Sequence, residues 1–181
     1  MVMAILIGSF ILLVIFLILV IFLVVPSLLG APWVPTQMNH VCKMLSMADV
    51  KLGDIVYDLG SGDGRVLLTA AKEFRARSVG IEMNPLWVLW TRWRIRILKL
   101  RDRVEVVWGN FFHKDLSEAD VVTLYLLQGT NDRLREKLEK DLKPGARVVS
   151  RIYIFKGWRS LNADEKSKIY LYKIGNHREH T

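Results

Sequence analysis

The stretch that decides the fold lies at residues 54–65 and has the sequence DIVYDLGSGDGR. Its first half is a short run rich in β-branched and aromatic residues, which is typical of a buried strand. Its second half has glycine at positions 60, 62 and 64. Glycine adopts backbone conformations that other residues rarely adopt, and it lets a ligand approach the main chain closely. The stretch therefore predicts a strand, a tight ligand-binding loop and the start of a helix.

The spacing of these glycines indicates the kind of ligand. The phosphate-binding pattern G-x-x-x-x-G-K-[ST] is absent, and the pattern found, D-x-G-x-G-x-G, differs from the dinucleotide pattern G-x-G-x-x-G. Asp58 stands at the tip of the predicted strand, where its carboxylate repels a phosphate and attracts a cation. S-Adenosylmethionine carries an ammonium and a sulfonium and no phosphate. We therefore expect this loop to bind S-adenosylmethionine, with Asp58 as one ligand.

Polar side chains also follow the next two predicted strands. Glu82 ends a strand at residues 78–82, and its carboxylate can accept hydrogen bonds from both ribose hydroxyls. Asn110 follows a strand at residues 104–108 and can hydrogen-bond the edge of an adenine, whose face Phe111 can cover. Ligands of open α/β sheets bind at the edge where the carboxyl ends of the strands meet. These groups therefore predict one cofactor site at that edge.

Strands and helices alternate along the globular part of the chain. Strands are predicted at residues 54–59, 78–82, 104–108, 120–126, 147–155 and 168–174, and helices at residues 36–48, 64–74, 85–100 and 131–142. This alternation predicts a parallel sheet with helices on both faces. Because no helix separates the last two strands, we expect the final strand to return antiparallel at the sheet edge.

The N-terminal part differs sharply in composition from the rest. No charged side chain precedes Lys43, although the whole chain has a net charge of +8. Residues 1–25 are almost entirely apolar, and the run is longer than the apolar core of a signal peptide and lacks a basic start. These features predict a transmembrane anchor at residues 1–25, a linker at 26–35 and one domain at 36–181. Lys43 and Lys51 favour a single-pass protein with that domain on the cytoplasmic side, which contains the cofactor.

Several segments resemble one known family. They are VPTQ (34–37), DIVYDLGSGDGR (54–65), VGIE (79–82), GNFF (109–112), SEADVVTLYL (117–126), LKPGARVVS (142–150) and GW (157–158). They are similar to segments of the seven-strand protein lysine methyltransferases, which include the archaeal broad-specificity enzyme and the mitochondrial enzymes for the adenine nucleotide translocase and the ATP synthase c subunit. The resemblance covers about residues 33–175. With the anchor, it implies an α/β, Rossmann-like seven-strand methyltransferase fold, shortened at its C-terminal edge, with one N-terminal transmembrane helix.

The resemblance also implies an S-adenosylmethionine-dependent protein-lysine N-methyltransferase and roles for particular residues. The glycine loop would hold the methionine part of the cofactor, Glu82 the ribose and Asn110 the adenine side. Thr36 would close over the cofactor, and Tyr125 would line the channel for the substrate lysine. The implied cofactor-binding residues are Thr36, Asp58, Gly60, Gly62, Asp63, Gly64, Glu82, Asn110 and Phe111.

The helix predicted at residues 85–100 mixes tryptophan with arginine and lysine. At 100° per residue its core face should contain Leu86, Leu89, Trp90, Trp93, Ile97 and Leu100. Its basic remainder can face anionic lipid headgroups, solvent or an acidic partner. We expect no nucleic-acid substrate, because base-directed amino methyltransferases usually carry [DN]-P-P-[YF] where residues 123–126 are TLYL. We also expect no metal, because the histidines lack ligand spacing.

The sequence leaves three functions open. The first is methylation of a protein lysine, with a membrane protein as a plausible substrate. The second is methylation of a lipid or a lipophilic small molecule, for which attachment to a membrane is equally useful. The third is a cofactor-binding module without enzymatic activity. The motifs favour the first function.

Overall fold

The structure is a computed structural model that describes residues 2–29 and 34–176. The chain divides into two compact units, Met1–Trp33 and Val34–Thr181. In the part of the first unit that the structure describes, there is one helix, α1 (Val2–Leu29), which continues through Pro26. The predicted linker at residues 26–35 overlaps this helix, and residues 30–33 lie outside the described residues, so that boundary stays a prediction.

The transmembrane element of the predicted fold, at residues 1–25, is wrong. Among the residues that the structure describes, no helix is both long enough and apolar enough to cross a membrane.

The second unit contains the α/β fold. Its helices are α2 (Met38–Met47), α3 (Arg65–Glu73), α4 (Pro85–Ile97) and α5 (Gln128–Asp141), with a 3-10 turn at Phe111–His113. Its strands are β1 (Ile55–Leu59), β2 (Arg77–Glu82), β3 (Val104–Trp108), β4 (Val121–Leu124), β5 (Arg147–Arg151), β6 (Asn162–Asp164) and β7 (Ile169–Lys173). They form one seven-stranded sheet in the order β3-β2-β1-β4-β5-β7-β6. The Rossmann-like seven-strand sheet is therefore confirmed.

The C-terminal edge of the sheet differs in detail from the prediction. The strands β1 to β5 pair in parallel, and β7 returns antiparallel to β5 as expected. The edge position belongs instead to β6, which pairs antiparallel with β7 and which the sequence pattern did not predict. β6 has only three residues, and their side chains are exposed or half-buried. The edge that was expected to be shortened therefore keeps its full number of strands.

Apolar side chains cover both faces of the sheet. On one face, α2 and α3 pack over a core that includes Val56, Val121 and Val149. Alternation along β5 turns Val148 to the opposite face, together with its register partner Tyr172. Trp158 packs against Tyr172 there and donates a hydrogen bond of 2.7 Å from Nε1 to Glu139 of α5. The sheet therefore lies between two helical layers, as predicted.

The core face predicted for α4 is wrong. Leu86, Leu89, Trp90, Trp93 and Ile97 are all exposed, and the two tryptophan rings stack on each other at the surface. The buried stripe consists instead of Val88, Thr91 and Ile95. Two polar contacts set this rotation of the helix, because Thr91 Oγ1 donates to Gly62 O at 3.1 Å and Arg94 donates to Asp63 O at 2.7 Å.

Candidate active site

The predicted site residues meet at the carboxyl edge of the sheet. Asp58 lies near the end of β1, Glu82 ends β2, and Asn110 follows β3. Tyr125 follows β4, beside β1. The parallel register of β1 to β4 brings these four positions to one end of one sheet.

The glycine loop adopts the conformation that its sequence predicts. Gly60, Gly62 and Gly64 have φ angles of 79°, 52° and 76°, which lie in the left-handed region that favours glycine. The main-chain N–H of Gly60 donates to Ile81 O at 2.9 Å, so the loop is tied to β2. A Cβ at Gly64 would lie 2.5 Å from Thr91 Cγ2. The loop thus packs tightly against α4 where α3 begins.

Asp58 is a buried carboxylate with a neutral partner. Its side chain is 6% exposed, and its Oδ1 accepts a hydrogen bond of 2.8 Å from Thr123 Oγ1. Burial raises the pKa of Asp58 to about 7, against the opposing effect of the Thr123 hydrogen bond. Among the ion pairs of the described residues, none involves Asp58. A cationic ligand would therefore find an uncompensated carboxylate here.

Glu82 supports the loop and still has acceptor capacity. Its Oε2 accepts from the main-chain N–H of Gly62 at 2.8 Å, and its Oε1 accepts from that of Asn84 at 2.7 Å. Burial raises the pKa of Glu82, and these main-chain hydrogen bonds oppose the rise. A carboxylate has about four lone-pair positions. Each oxygen can thus accept a hydroxyl of a bound ribose while it keeps its main-chain donor.

Asp63 is held by arginine. Its carboxylate accepts from Arg65 Nε at 2.9 Å and from Arg65 Nη2 at 2.8 Å, and Arg94 lies 3.6 Å away. Burial alone would raise the pKa of Asp63, but the hydrogen bonds and charge of Arg65 outweigh it and lower that pKa. Arg65 Nη1 also donates to Thr36 O at 2.6 Å. Arg65, which sequence reasoning missed, therefore connects the loop to the buried Thr36.

Asn110 and Phe111 border the site at the end of β3. Asn110 Oδ1 accepts from the main-chain N–H of Phe112 at 3.0 Å and so caps the 3-10 turn. Its Nδ2 carries the donors that suit an adenine ring nitrogen. Phe111 is 8% exposed and contacts the Phe112 ring at a centroid distance of 4.9 Å. The predicted adenine side is therefore apolar with one amide at its edge.

The donor set fits S-adenosylmethionine. Asp58 matches an ammonium, Glu82 matches a diol, and Asn110 with Phe111 matches a flat heterocycle with a polar edge. The main chain of the glycine loop is exposed at Gly60, and Gly62 and Gly64 are buried. Sheet, loop and donor set together define an S-adenosylmethionine-dependent methyltransferase of the Rossmann-like class.

Comparison with known proteins identifies the family. Residues 58–162 match the family described as the ANTKMT methyltransferase domain, and this chain belongs to that family. The chain is 44% identical over 154 residues to a protein-lysine N-methyltransferase of Saccharolobus islandicus, covering 81% of this chain and 96% of the relative. It is 31% identical over 159 residues to the adenine nucleotide translocase lysine N-methyltransferase of Mus musculus, covering 83% of this chain and 66% of the relative.

A solved structure agrees with the methyltransferase fold and with the cofactor. A crystal structure of an RNA methyltransferase from Salinibacter ruber in complex with S-adenosyl-L-homocysteine has a TM-score of 0.76 to this chain at 40% sequence identity. The match covers 82% of this chain and 97% of that one. The predicted cofactor, S-adenosylmethionine, is thereby confirmed at the level of the family. The roles assigned to individual site residues remain predictions.

Proposed function

We propose that this chain transfers a methyl group from S-adenosylmethionine to the side-chain amine of a lysine in a protein. The observation that carries the proposal is the 44% identity to a protein-lysine N-methyltransferase over 96% of that relative. Tyr125, half-buried at the end of β4, supports it because an aromatic side chain suits the wall of a narrow channel for a lysine.

The chemistry requires a neutral lysine in line with the methyl group. The cofactor, when bound, supplies a methyl group that its sulfonium already activates. A free lysine has a pKa of about 10.4, so its deprotonation at pH 7 costs about 4.6 kcal/mol. Exclusion of water near a positive charge disfavours the ammonium form and reduces this cost. The residues of the site therefore need only bind, orient and exclude water.

The side chains divide this work. Asp58 binds the ammonium of the methionine part, and Thr123 keeps its carboxylate in place. Glu82 binds the ribose and fixes the glycine loop with the same carboxylate. Arg65 holds the main chain at Thr36 over the site. No dedicated general base is required.

Labelling separates the candidate functions. The chain is incubated with methyl-labelled S-adenosylmethionine and with membranes, soluble protein and RNA from one cell extract. Label in lysine of a protein supports the proposal. Label only in the organic extract would favour a lipid or lipophilic small molecule, and label only in RNA would favour the activity of the Salinibacter ruber relative. Cofactor binding without transfer would indicate a non-enzymatic module.

The exposed face of α4 supports a further part of the proposal, that the domain works at an anionic membrane surface on a membrane-protein substrate. Trp90 and Trp93 stack at 4.9 Å between ring centroids and are 46% and 52% exposed. Arg92 and Arg96 of the same helix, with Arg101 and one acidic residue, Glu105, line a shallow cavity of about 350 Å³. A helix that combines exposed tryptophan with arginine is suited to anionic lipid headgroups. The corresponding location is the membrane face of the compartment that contains S-adenosylmethionine.

Vesicle binding tests the α4 surface. The unit that begins at Val34 is mixed with phosphatidylcholine vesicles that contain or lack phosphatidylserine. Flotation with the anionic vesicles at low salt is expected, and Trp90→Ser with Trp93→Ser should abolish it. Lys140→Gln, which changes an exposed cation on α5, is the matched control. Self-association in place of flotation would assign the face to a second copy of the chain.

A further inference from the structure

A cluster of three side chains lies next to the cofactor site. The Arg151 guanidinium stacks over the Tyr125 ring, with Cζ 4.8 Å from the ring centroid. Arg151 Nη2 also lies 3.1 Å from His40 Nδ1 on α2. Register places Tyr125 beside Arg151, because Leu124 pairs with Ser150 in the preceding position. The cluster therefore connects the end of β4, the end of β5 and the helix that follows Thr36.

The contact with histidine fixes a protonation state. Arginine can only donate hydrogen bonds, so Nδ1 of His40 must accept, and the imidazole must be neutral with its proton on Nε2. A protonated His40 would have no acceptor and would repel Arg151. The contact between Arg151 and His40 therefore exists only while His40 is uncharged.

We propose that Arg151 is a positioning residue for Tyr125, and that neutral His40 locks it in place, so that protonation of His40 loosens the wall of the lysine channel. The proposal rests on the proposed function, since it takes Tyr125 as that wall. A cation over an aromatic face is attracted to the ring and fixes its position. The contact between Arg151 and His40 therefore affects the alignment of the substrate amine more than it affects cofactor binding.

Stability alone does not account for Arg151. Its Nε is buried and has no hydrogen-bond partner among the described residues, which is an unfavourable arrangement for a guanidinium. The next residue, Ile152, has a φ of 69°, a left-handed conformation that a β-branched residue adopts only under strain. Asn131 of α5 holds the turn by donating to Tyr153 O at 3.1 Å. A strained backbone that is held by side chains of a neighbouring element is typical of functional positions.

The charges around His40 support its role as the switch. Burial lowers its pKa, and the positive charges of Arg151 on β5 and Lys43 on α2 lower it further. Lys43 is itself paired with Asp164 of β6, which offsets part of its charge. Because the folded-state pKa of His40 lies below its ordinary value, the contact with Arg151 is present at neutral pH and is lost as the pH falls through that lowered pKa.

The experiment compares variants of the full chain at saturating cofactor over a range of pH. Arg151→Lys and Arg151→Gln should each lower kcat by about tenfold while the Kd for S-adenosylmethionine changes by less than twofold, because neither side chain reproduces the planar stack. His40→Gln keeps a neutral acceptor at every pH. Its rate relative to the unsubstituted chain should therefore rise as the pH falls and His40 of the unsubstituted chain becomes protonated. Lys140→Gln serves as the surface control, and thermal unfolding verifies that each variant is folded.

The outcomes distinguish this inference from the proposed function. If the unsubstituted chain labels no protein lysine, the proposed function fails first. If it labels lysine and Arg151→Lys retains full kcat, the positioning role is rejected. A constant ratio of the His40→Gln rate to the unsubstituted rate across the pH range would reject the role of neutral His40 in holding Arg151.

Discussion

Thr123 Oγ1 donates a hydrogen bond of 2.8 Å to Asp58 Oδ1, and the two residues are register partners on β4 and β1. The partner of this buried carboxylate is thus a neutral hydroxyl. The pKa of Asp58 rises to about 7 because burial disfavours its charged form. A neutral donor holds the carboxylate in place without neutralising it. The positive charge that Asp58 lacks in the protein can therefore come from the ligand.

Asp58→Asn should separate stability from binding. The amide keeps an acceptor for Thr123 but removes the negative charge, so affinity for S-adenosylmethionine should fall about 10- to 100-fold. Because the folded pKa of Asp58 is raised, its favourable contribution is complete below about pH 4 and is lost as the pH rises through about 7. At pH 8 the variant should thus be more stable, by about 2–4 kcal/mol in the free energy of unfolding. Calorimetric titration and urea unfolding measure the two effects.

Asp120→Asn provides a control in which the expected change in stability at pH 8 has the opposite sign. Burial alone would raise the pKa of Asp120, but the hydrogen bond and charge of Lys143 and the N–H of Ile55 outweigh it and lower that pKa. The stability that Asp120 contributes is present above its unfolded pKa and is lost as the pH falls through the folded one. Its replacement should destabilise the chain at pH 8 and leave cofactor affinity unchanged. Equal stability changes in both variants would contradict the account of Asp58.

Cofactor affinity should depend on pH through the same residue. Below pH 7, binding of the ammonium must first remove a proton from Asp58, so the dissociation constant should rise by up to tenfold for each unit by which the pH falls. Calorimetry in two buffers of different ionisation enthalpy should detect the released proton. In Asp58→Asn the affinity should vary much less with pH and the proton release should shrink. A dissociation constant that does not change with pH in the unsubstituted chain would contradict the assignment of Asp58 as the ammonium ligand.

The sequence predicted the sheet and the meeting of the candidate site residues at its edge because the signals for both are local. The glycine spacing, the carboxylate at the tip of β1 and the apolar runs of the strands need no knowledge of distant contacts. The antiparallel return of β7 followed from the absence of an intervening helix. What was missed depends on contacts between separate segments.

Two elements show this limit. α4 has apolar residues on both faces, so periodicity could not reveal that Thr91 and Arg94 anchor it to the glycine loop and turn Trp90 and Trp93 outward. β6 is three exposed or half-buried residues whose strand geometry comes from pairing with β7. The role of Arg65 likewise became visible only when the fold placed Thr36 beside it.

Gly64→Ala should destabilise the chain through two separate causes. The residue has a φ of +76°, and the new Cβ would lie 2.5 Å from Thr91 Cγ2. We expect a loss of about 2–4 kcal/mol in the free energy of unfolding, together with weaker cofactor binding. Gly53→Ala has a φ of +94° with nothing within 4 Å of the new Cβ, and should lose only about 1 kcal/mol. Similar losses of stability at both positions would mean that the glycine loop shifts to accept the new Cβ and that its contact with α4 is not tight.

Arg65→Lys should weaken cofactor binding more than it weakens the fold. Arg65 uses its planar fork to hold Asp63 through two nitrogens while a third donates to Thr36 O at 2.6 Å, and lysine cannot make both contacts. Because Thr36 is predicted to close over the cofactor, affinity for S-adenosylmethionine should fall about 3- to 10-fold.

Arg147→Lys is the matched control. Arg147 likewise joins a carboxylate, that of Asp54, to main-chain oxygens of residues 48 and 49. It should lose comparable stability and keep its cofactor affinity. Calorimetric titration and thermal unfolding of both variants decide the matter, since equal losses of affinity would show that the arginine bridge at Thr36 has no particular role in binding.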